Sequence, residues 1–135
     1  MEQRHNRFSQ CQKRGNGMSI DNAIASVAVK NLEEAEAWYA RLFDRPADSR
    51  PMPEVAEWKF ERGGWLQVYQ APERAGQGSV TLAVTGLDEV VAHVSKFGID
   101  TSTKTSSEKV ATLMIRDPDG NHIAFAEAFD ERMAR

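Results

Sequence analysis

The sequence has few features of secreted or membrane proteins. It contains a single cysteine among its 135 residues, Cys11, so no disulfide can form within the chain. No apolar run approaches the roughly 18 residues that a membrane-spanning helix needs, and the first residues lack the apolar stretch of a secretory signal. A lone thiol is usual in reducing compartments, and we therefore expect a cytoplasmic protein that does not bind a membrane.

The common motifs of catalysis and nucleotide binding are also missing. The glycines at 63–64 and 76–78 match neither the phosphate-binding loop nor the dinucleotide fingerprint. No serine stands in the pattern of a nucleophile with histidine and acid partners. Cys11 lies in a polar segment with no base beside it, which argues against a reactive thiol. We predict no catalytic residue.

Excess positive charge is confined to the start of the chain. Residues 1–17 hold four basic residues and one acid, a net charge of +3, so the remainder carries −6 within the total of −3. An acidic body does not favour nucleic acid, which binds basic surfaces. We predict a disordered tail at residues 1–20; the alternatives are a basic arm for a partner and an extension before a true start at Met18. Residues 129–135 are predicted to be a short C-terminal tail.

Hydrophobic periodicity predicts a strand, a helix and three strands in the first half of the chain. Alternating apolar residues indicate a strand at 23–29. A stripe at helical spacing follows Asn31, which forms a capping-box pattern with Glu34. The remaining predicted elements of this half are a short edge strand within 47–54, strands at 55–61 and 65–70, and a tight turn at 62–64.

The same order returns after a linker at residues 71–78. The predicted elements are a strand at 79–84, a helix at 87–97, a short strand near 99–104, a turn at 105–108, and strands at 110–115 and 122–127. Residues 28–34 resemble residues 83–89, 55 positions later, and residues 63–68 resemble residues 120–125, 57 positions later. The sequence therefore predicts an α+β fold with two tandem βαβββ modules, about 21–71 and 78–128, in a single domain at 21–128.

Two segments carry a resemblance to a known family. VAVKNLEEAEAWYARLF resembles the opening of a module of the glyoxalase/bleomycin resistance/dioxygenase (vicinal oxygen chelate) superfamily, and RDPDGNHIAF resembles the turn before that family's last strand. The resemblance covers about residues 23–127. It implies a curled mixed sheet with a concave cavity and with both helices on the outer face. The residues of the DPDGN turn suit a structural role.

The resemblance also implies where a metal would be bound. Metal-dependent members place one ligand on each of four cavity strands, and the motifs align these positions with residues that make a poor ligand set: Ile24, Gln67, Ser79 and Ala124. Two of them have no donor atom, the serine is a weak neutral ligand, and only the glutamine could serve. One weak ligand does not hold a metal, so we expect neither metal nor cofactor.

The three histidines offer little chemistry. His5 lies in the predicted tail, and His93 is expected on the solvated side of the second helix. His122 is the one candidate for a ligand or a general base, with Glu61 or Glu127 as its carboxylate partner, although strand alternation points Glu127 away. The sequence favours a hydrogen-bonding role at the cavity rim.

Strand alternation sorts the side chains of such a sheet into two faces. The residues predicted to pack under the helices are Ala25, Val27, Val29, Leu66, Val68, Val80, Leu82, Val84, Ile123 and Phe125. We expect Trp58 and Phe60 to lie on the cavity side. The predicted ligand-binding residues on that side are Ser26, Trp58, Trp65, Gln67, Tyr69, Ser79, Thr81 and His122.

An aromatic wall with a few polar groups is typical of a small-molecule pocket. The alternative is that these aromatic residues belong to the core or to a dimer interface. We expect a metal-independent homodimer that binds an aromatic or amphipathic small molecule and sequesters a toxic compound. The alternatives are a lyase, isomerase or dioxygenase with a non-standard or metal-free site, and an interaction module with a vestigial cavity.

Overall fold

The computed structural model describes residues 17–129, which contain two α-helices, a short 3-10 helix (Pro72–Arg74) and eight strands. The first half forms β1 (Ile24–Val29), α1 (Leu32–Phe43), β2 (Ser49–Met52), β3 (Val55–Lys59) and β4 (Trp65–Gln70). The second half forms β5 (Ser79–Ala83), α2 (Leu87–Ser95), β6 (Thr105–Ser106), β7 (Val110–Arg116) and β8 (His122–Ala128). Residues 1–16 and 130–135, which hold most of the two predicted tails, lie outside the described residues.

The strands form two four-stranded mixed sheets with the same topology. The orders are β1-β4-β3-β2 and β5-β8-β7-β6. In each sheet the first strand runs parallel to the last, and the other pairs are antiparallel. This arrangement confirms the predicted pair of βαβββ modules. Neither helix in residues 17–129 has the length and apolar character needed to cross a membrane.

The β3–β4 and β7–β8 hairpins have the same pattern of backbone hydrogen bonds at their turns. Phe60 donates to the carbonyl of Gly64, as Asp117 donates to that of Asn121, at 2.8 and 3.0 Å. Both turns contain a glycine with positive φ, Gly63 at 96° and its counterpart in the second hairpin at 99°. The counterparts lie 57 positions apart, as the sequence duplication predicts.

Each helix is capped by a side chain from the last strand of its module. The Gln70 amide oxygen accepts from the backbone N–H of Leu32 at 2.9 Å. The Glu127 carboxylate accepts from Leu87 at 3.0 Å and from Gly86 at 2.9 Å. The first helix also has the predicted N-cap, because the Asn31 side chain accepts from the N–H three residues later. These bonds satisfy N–H groups that a helix leaves unpaired at its start.

The residues predicted to face the helices form the core. Val27, Val29, Leu66, Val68, Val80, Ile123 and Phe125 are buried, while Ala25, Leu82 and Val84 are partly buried against them. Full burial of a side chain such as Leu66 contributes roughly 1.5–3 kcal/mol relative to exposure. On β1, β4, β5 and β8, which form the two parallel pairs, the alternation of the sequence therefore predicted correctly which side chains face the helices.

Two aromatic residues lie on the opposite side from the one predicted. Trp58 has no exposed surface, and its ring lies 6.1 Å from Tyr39 and 5.7 Å from Phe43 on α1. The ring of Phe60 lies 5.5 Å from Phe43. The prediction that Trp58 and Phe60 face the cavity is therefore wrong. Trp58 is paired with Leu66 on β4, and residues directly opposite in an antiparallel pair share a face.

The turn between β7 and β8 joins the two modules. The buried Asp117 carboxylate accepts from the Tyr39 hydroxyl at 2.7 Å and from the Asn121 side chain at 2.8 Å. Asn121 in turn donates to the carbonyl of Ala28 and accepts from the N–H of Gly78. Burial, and then the adjacent carboxylate, raise the pKa of Tyr39, so its hydroxyl stays protonated and donates. The turn thus has a structural role.

The helices also contact each other through His93 on α2. The Nε2 atom of His93 lies 2.8 Å from the carbonyl oxygen of Arg41, in the last turn of α1. The His93 ring also packs edge-on against Phe97 at 5.0 Å. His93 is half-buried in this contact instead of lying on the solvated side of its helix.

The short strand of the second module begins later than predicted. We expected a strand near residues 99–104 and a turn at 105–108, but β6 is Thr105–Ser106. The hydroxyls of Thr105 and Thr112 are 2.8 Å apart across this pair. The turn lies further on, where the Ser107 hydroxyl accepts from the N–H of Val110 at 3.3 Å. Local side-chain hydrogen bonds of this kind favour turns over strands.

Candidate functional site

We call the sheet surface opposite the helices the open face. On the first sheet it carries Trp65, Gln67 and Tyr69, which are all half-buried and alternate with the fully buried Leu66 and Val68. Their predicted placement away from the helices is confirmed. Trp65 is therefore the tryptophan that lies half-buried on this face, whereas Trp58 is enclosed in the core.

Trp65 is flanked by a cation and by an exposed aliphatic side chain. The Lys59 ammonium lies 5.8 Å from the centroid of the Trp65 ring, a cation–π contact. On the other side, Ile24 is paired with Trp65 in the register of β1 and β4 and is 42% exposed. The ring thus lies within an amphipathic surface, with apolar and cationic neighbours.

Next to Trp65, a continuous row of polar side chains crosses the first sheet. Its members are Ser26 on β1, Gln67 on β4, Glu57 on β3 and Ser49 on β2, which are paired in register. The Ser26 hydroxyl donates to the Gln67 amide oxygen at 3.2 Å, and the amide nitrogen of Gln67 donates to Glu57. The Ser49 hydroxyl donates to the other carboxylate oxygen of Glu57 at 3.1 Å. We call these four residues the polar row.

Glu57 is the residue of this face that sequence reasoning missed. It has no exposed surface, yet it lies on the open-face side of β3, because it is paired with Gln67. The signal was present in the hairpin: a three-residue turn at 62–64 sets the odd-numbered residues of β3 opposite the odd-numbered residues of β4, which share a face. In the structure Lys59 is paired with Trp65, and Glu57 with Gln67. Counting residues across the turn would have placed Glu57 in the predicted site instead of Trp58.

The open face of the second sheet carries the other predicted site residues. Ser79 and Thr81 on β5 are exposed, and His122 at the start of β8 is half-buried and paired with Ser79. Their neighbours on this face include Ala124, paired with Thr81, and Met114, which is 38% exposed. The structure therefore divides the predicted set between two sheets and leaves Trp58 out of both open faces.

The four family ligand positions do not fit a divalent metal. Ile24 and Ala124 carry no donor atom, and Ser79 offers a neutral hydroxyl. The amide of Gln67 already bonds to Ser26 and Glu57. Across residues 17–129, no three histidine, cysteine, aspartate or glutamate side chains are grouped closely enough to hold a metal ion.

A separate cleft of about 420 Å³ lies at the N-terminal end of α1. It is lined by Asn31, Leu32, Glu33, Arg50, Pro53 and Gln70 and includes none of the predicted site residues. Three of its polar side chains already have partners, because Arg50 bonds to Glu36 while Gln70 and Asn31 cap the helix. We therefore place the candidate site on the open face of the first sheet.

Comparison with known proteins identifies the family. No protein-family model matches the chain, and no functionally curated protein does. A glyoxalase/bleomycin resistance protein from Catenulispora acidiphila DSM 44928 is 34% identical, with a TM-score of 0.72, over 79% of this chain and 97% of that one. TnmS3, an antibiotic binding protein from Streptomyces sp. CB03234, is 19% identical, with a TM-score of 0.71, over 83% of this chain and 99% of that one.

A glyoxalase/bleomycin resistance protein from Streptomyces sp. CB03234 is 20% identical, with a TM-score of 0.66, over 78% of this chain and 98% of that one. The two Streptomyces proteins share the fold, whereas the Catenulispora protein is similar in sequence along almost its whole length. The duplicated βαβββ topology and this similarity agree. The chain belongs to the glyoxalase/bleomycin resistance family.

Proposed function

We propose that this protein binds a flat aromatic or amphipathic small molecule on the open face of its first sheet and sequesters it. The proposed contacts are Trp65 and Tyr69 as apolar surfaces, and Ser26 and Gln67 as hydrogen-bonding groups. Ser79, Thr81 and His122 on the second sheet form the other part of the proposed site.

The observation that carries the proposal is the position of Trp65. An indole ring that is half-buried on a sheet surface provides a rigid stacking platform, and polar side chains two residues away can orient what stacks on it. Trp58 offers no such platform because it is enclosed in the core, and Trp38 lies on α1, away from the open face, where it packs edge-on against Tyr39 at 4.8 Å. The fold shared with the antibiotic binding protein TnmS3 is consistent with sequestration.

The proposed binding does not use a metal at the family position. Binding a divalent metal there would require ligands that Ile24 and Ala124 cannot provide. Elemental analysis of the purified protein tests this part, and we expect much less than one equivalent of any transition metal. A stoichiometric transition metal would contradict it.

The proposed functional unit is a homodimer. Closed two-fold dimers are the commonest small oligomers, and the open faces leave Ile24 and Met114 partly exposed for a second copy to cover. Light scattering coupled to gel filtration tests this, with twice the chain mass as the expected result. A monomer at all concentrations would contradict it.

Titration with naphthalene, acridine and anthraquinone derivatives tests the binding itself. Replacing Trp65 by alanine should weaken the binding of the best compound about tenfold, since stacking on an aromatic side chain contributes roughly 1–3 kcal/mol. The matched control is Trp38→Ala, which changes a half-buried tryptophan on α1, away from the open face, and should leave the affinity unchanged. Equal loss in both variants, or no binding by any compound, would contradict the proposal.

A further inference from the structure

The hydrogen bonds of the polar row are all donated towards Glu57. A carboxylate can only accept, and Glu57 accepts from Gln67 on one side and from Ser49 on the other. Because the amide nitrogen of Gln67 faces the carboxylate, its oxygen faces Ser26, whose hydroxyl donates to it at 3.2 Å. The Ser26 proton is thereby used within the row, which leaves the Ser26 oxygen to act as an acceptor.

Exposure along the row decides which of these atoms a ligand meets. Glu57 has no exposed surface, Gln67 is half-buried, and Ser26 and Ser49 at the two ends of the row are exposed. Ser26 lies on β1, next to the strand that carries Trp65, whereas Ser49 lies on β2, two strands away from it. A molecule stacked on Trp65 therefore meets the Ser26 end, where the Ser26 oxygen and the Gln67 oxygen are both acceptors. A ligand that offers only an acceptor would require the Ser26 proton to leave Gln67, with loss of that hydrogen bond.

The spacing of the strand allows one ligand to touch both the ring and the row. Trp65 and Gln67 are two residues apart on one face of β4, which corresponds to roughly 7 Å along the strand. That distance is comparable to the length of a bicyclic aromatic compound. A ring stacked on Trp65 can therefore direct its edge at Ser26.

We propose that the ligands of this site carry a hydrogen-bond donor on the edge of a flat aromatic ring, and that Glu57 sets this preference through Gln67 and Ser26. The inference rests on the small-molecule binding proposed above and adds the class of ligand. Glu57 is then a positioning residue that determines specificity without touching the ligand, because it fixes the direction of every hydrogen bond in the row.

Indole and benzofuran are a suitable pair of probes, because they share size and shape while indole has an N–H donor and benzofuran an oxygen acceptor. Their affinities for the full chain can be measured by ligand-observed NMR titration. We expect indole to bind about fivefold more tightly, which is the ratio that one hydrogen bond of ordinary net strength supplies.

Substitutions in the polar row test whether the preference for indole comes from the direction of the hydrogen bonds. Ser26→Ala removes the exposed acceptor and should reduce the indole/benzofuran ratio to about one, while Ser95→Ala, which changes a serine on α2 whose hydroxyl donates to the carbonyl of Val91, should keep it. Glu57→Gln allows the row to reverse and should also reduce the ratio. Ser49→Ala leaves the direction of the remaining bonds unchanged and should preserve it. Thermal unfolding of each variant shows whether it folds; since Ser26 is exposed, its variant decides the outcome even if Glu57→Gln does not fold.

The outcomes distinguish this inference from the proposed function. Equal binding of indole and benzofuran to the unaltered protein would overturn the donor preference and leave the aromatic site in place. Binding of neither compound would overturn both. A preference that persists in Ser26→Ala would assign the donor contact to another group and would also overturn the role of the row.

Discussion

The polar row of the first sheet consists of four hydrogen-bonded side chains. The paired residues at the matching positions of the second sheet are Thr81, Ala124 and Met114. The positions correspond, because Thr81 is 55 residues after Ser26, and Ala124 and Met114 are each 57 residues after Gln67 and Glu57. The two open faces of the duplicated fold have therefore diverged in polarity, size and hydrogen bonding.

The helix caps supplied by the last strand of each module, and the hairpins, have diverged less. Leu32 and Leu87 donate to a side chain from the last strand of their own module at 2.9 and 3.0 Å. Buried or terminal backbone groups need a partner in every copy of the module, which keeps such bonds in place. An open-face side chain has no such requirement and is free to serve a ligand. This difference supports the first module as the main part of the proposed binding site.

The largest expected effect contrasts the two faces of the first sheet. Trp58→Ala should lower the free energy of unfolding by roughly 3–5 kcal/mol, because it leaves a large cavity beneath Tyr39 and Phe43. Trp65→Ala should change it by less than about 1 kcal/mol, since the ring is half-exposed. Urea denaturation of both variants measures this. Similar losses would mean that Trp65 is a core residue and not a binding surface.

The next effect concerns the junction between the modules. Asp117→Ala leaves the Tyr39 hydroxyl and the Asn121 amide without their buried acceptor and should cost roughly 3 kcal/mol. The matched control is Asp119→Ala in the same turn, which removes one bond of 3.3 Å to the N–H of Lys30 and should cost about 0.5 kcal/mol. Equal stabilities of the two variants in urea would contradict the role assigned to Asp117.

The sequence predicted the backbone of this fold better than its open face. Periodicity located both helices and the strands of the parallel pairs, because their side chains are sorted by burial alone. It misplaced Trp58, because aromatic character suggested a pocket wall, while the face of β3 is set by its register with β4. Glu57 was overlooked for the same reason.

The side chains that cap the helices from the last strands could not be predicted from the sequence pattern either. Gln70 and Glu127 lie 38 and 40 residues from the N–H groups of Leu32 and Leu87. Local propensity contains no information about contacts at such separations. In the same way, the Tyr39–Asp117 bond joins residues 78 positions apart and emerged only in the structure.

A smaller loss of stability is expected when the capping side chains Glu127 and Gln70 are removed, and the two losses should differ. Glu127→Ala should cost roughly 1–2 kcal/mol, because the carboxylate accepts from two N–H groups at the positive end of α2. Gln70→Ala removes one neutral acceptor from α1 and should cost about 0.5–1 kcal/mol. Chemical denaturation of both variants gives the comparison. A larger loss for Gln70→Ala would contradict the charge argument.

The smallest expected effect is a pH dependence in the loops that follow the helices. Hydrogen bonds from the Lys59 backbone and then from the Arg45 side chain lower the pKa of Asp48. A carboxyl with a lowered pKa stabilises the fold above its unfolded pKa and loses that contribution as pH falls through its folded pKa. Asp48→Asn should therefore be less stable than the unaltered protein near neutrality and approach it in acid.

Asp100 in the second module is the control for Asp48. Its pKa is lowered by Ser102, only two residues away, so Asp100→Asn should show a weaker pH dependence. Urea denaturation at several pH values from about 3 to about 7 gives both profiles. Identical profiles for the two variants would show that the longer-range bond to β3 adds nothing to stability.

The central claim is that a small aromatic molecule binds the open face of the first sheet. Nitrogen-15 amide NMR of the assigned protein during titration with the tightest-binding compound tests it most directly. We predict the largest shifts at Ser26, the Trp65 indole N–H and Gln67, with smaller shifts at Ser79 and Thr81. Shifts confined to the cleft at the start of α1, or absent from the first sheet, would contradict the claim.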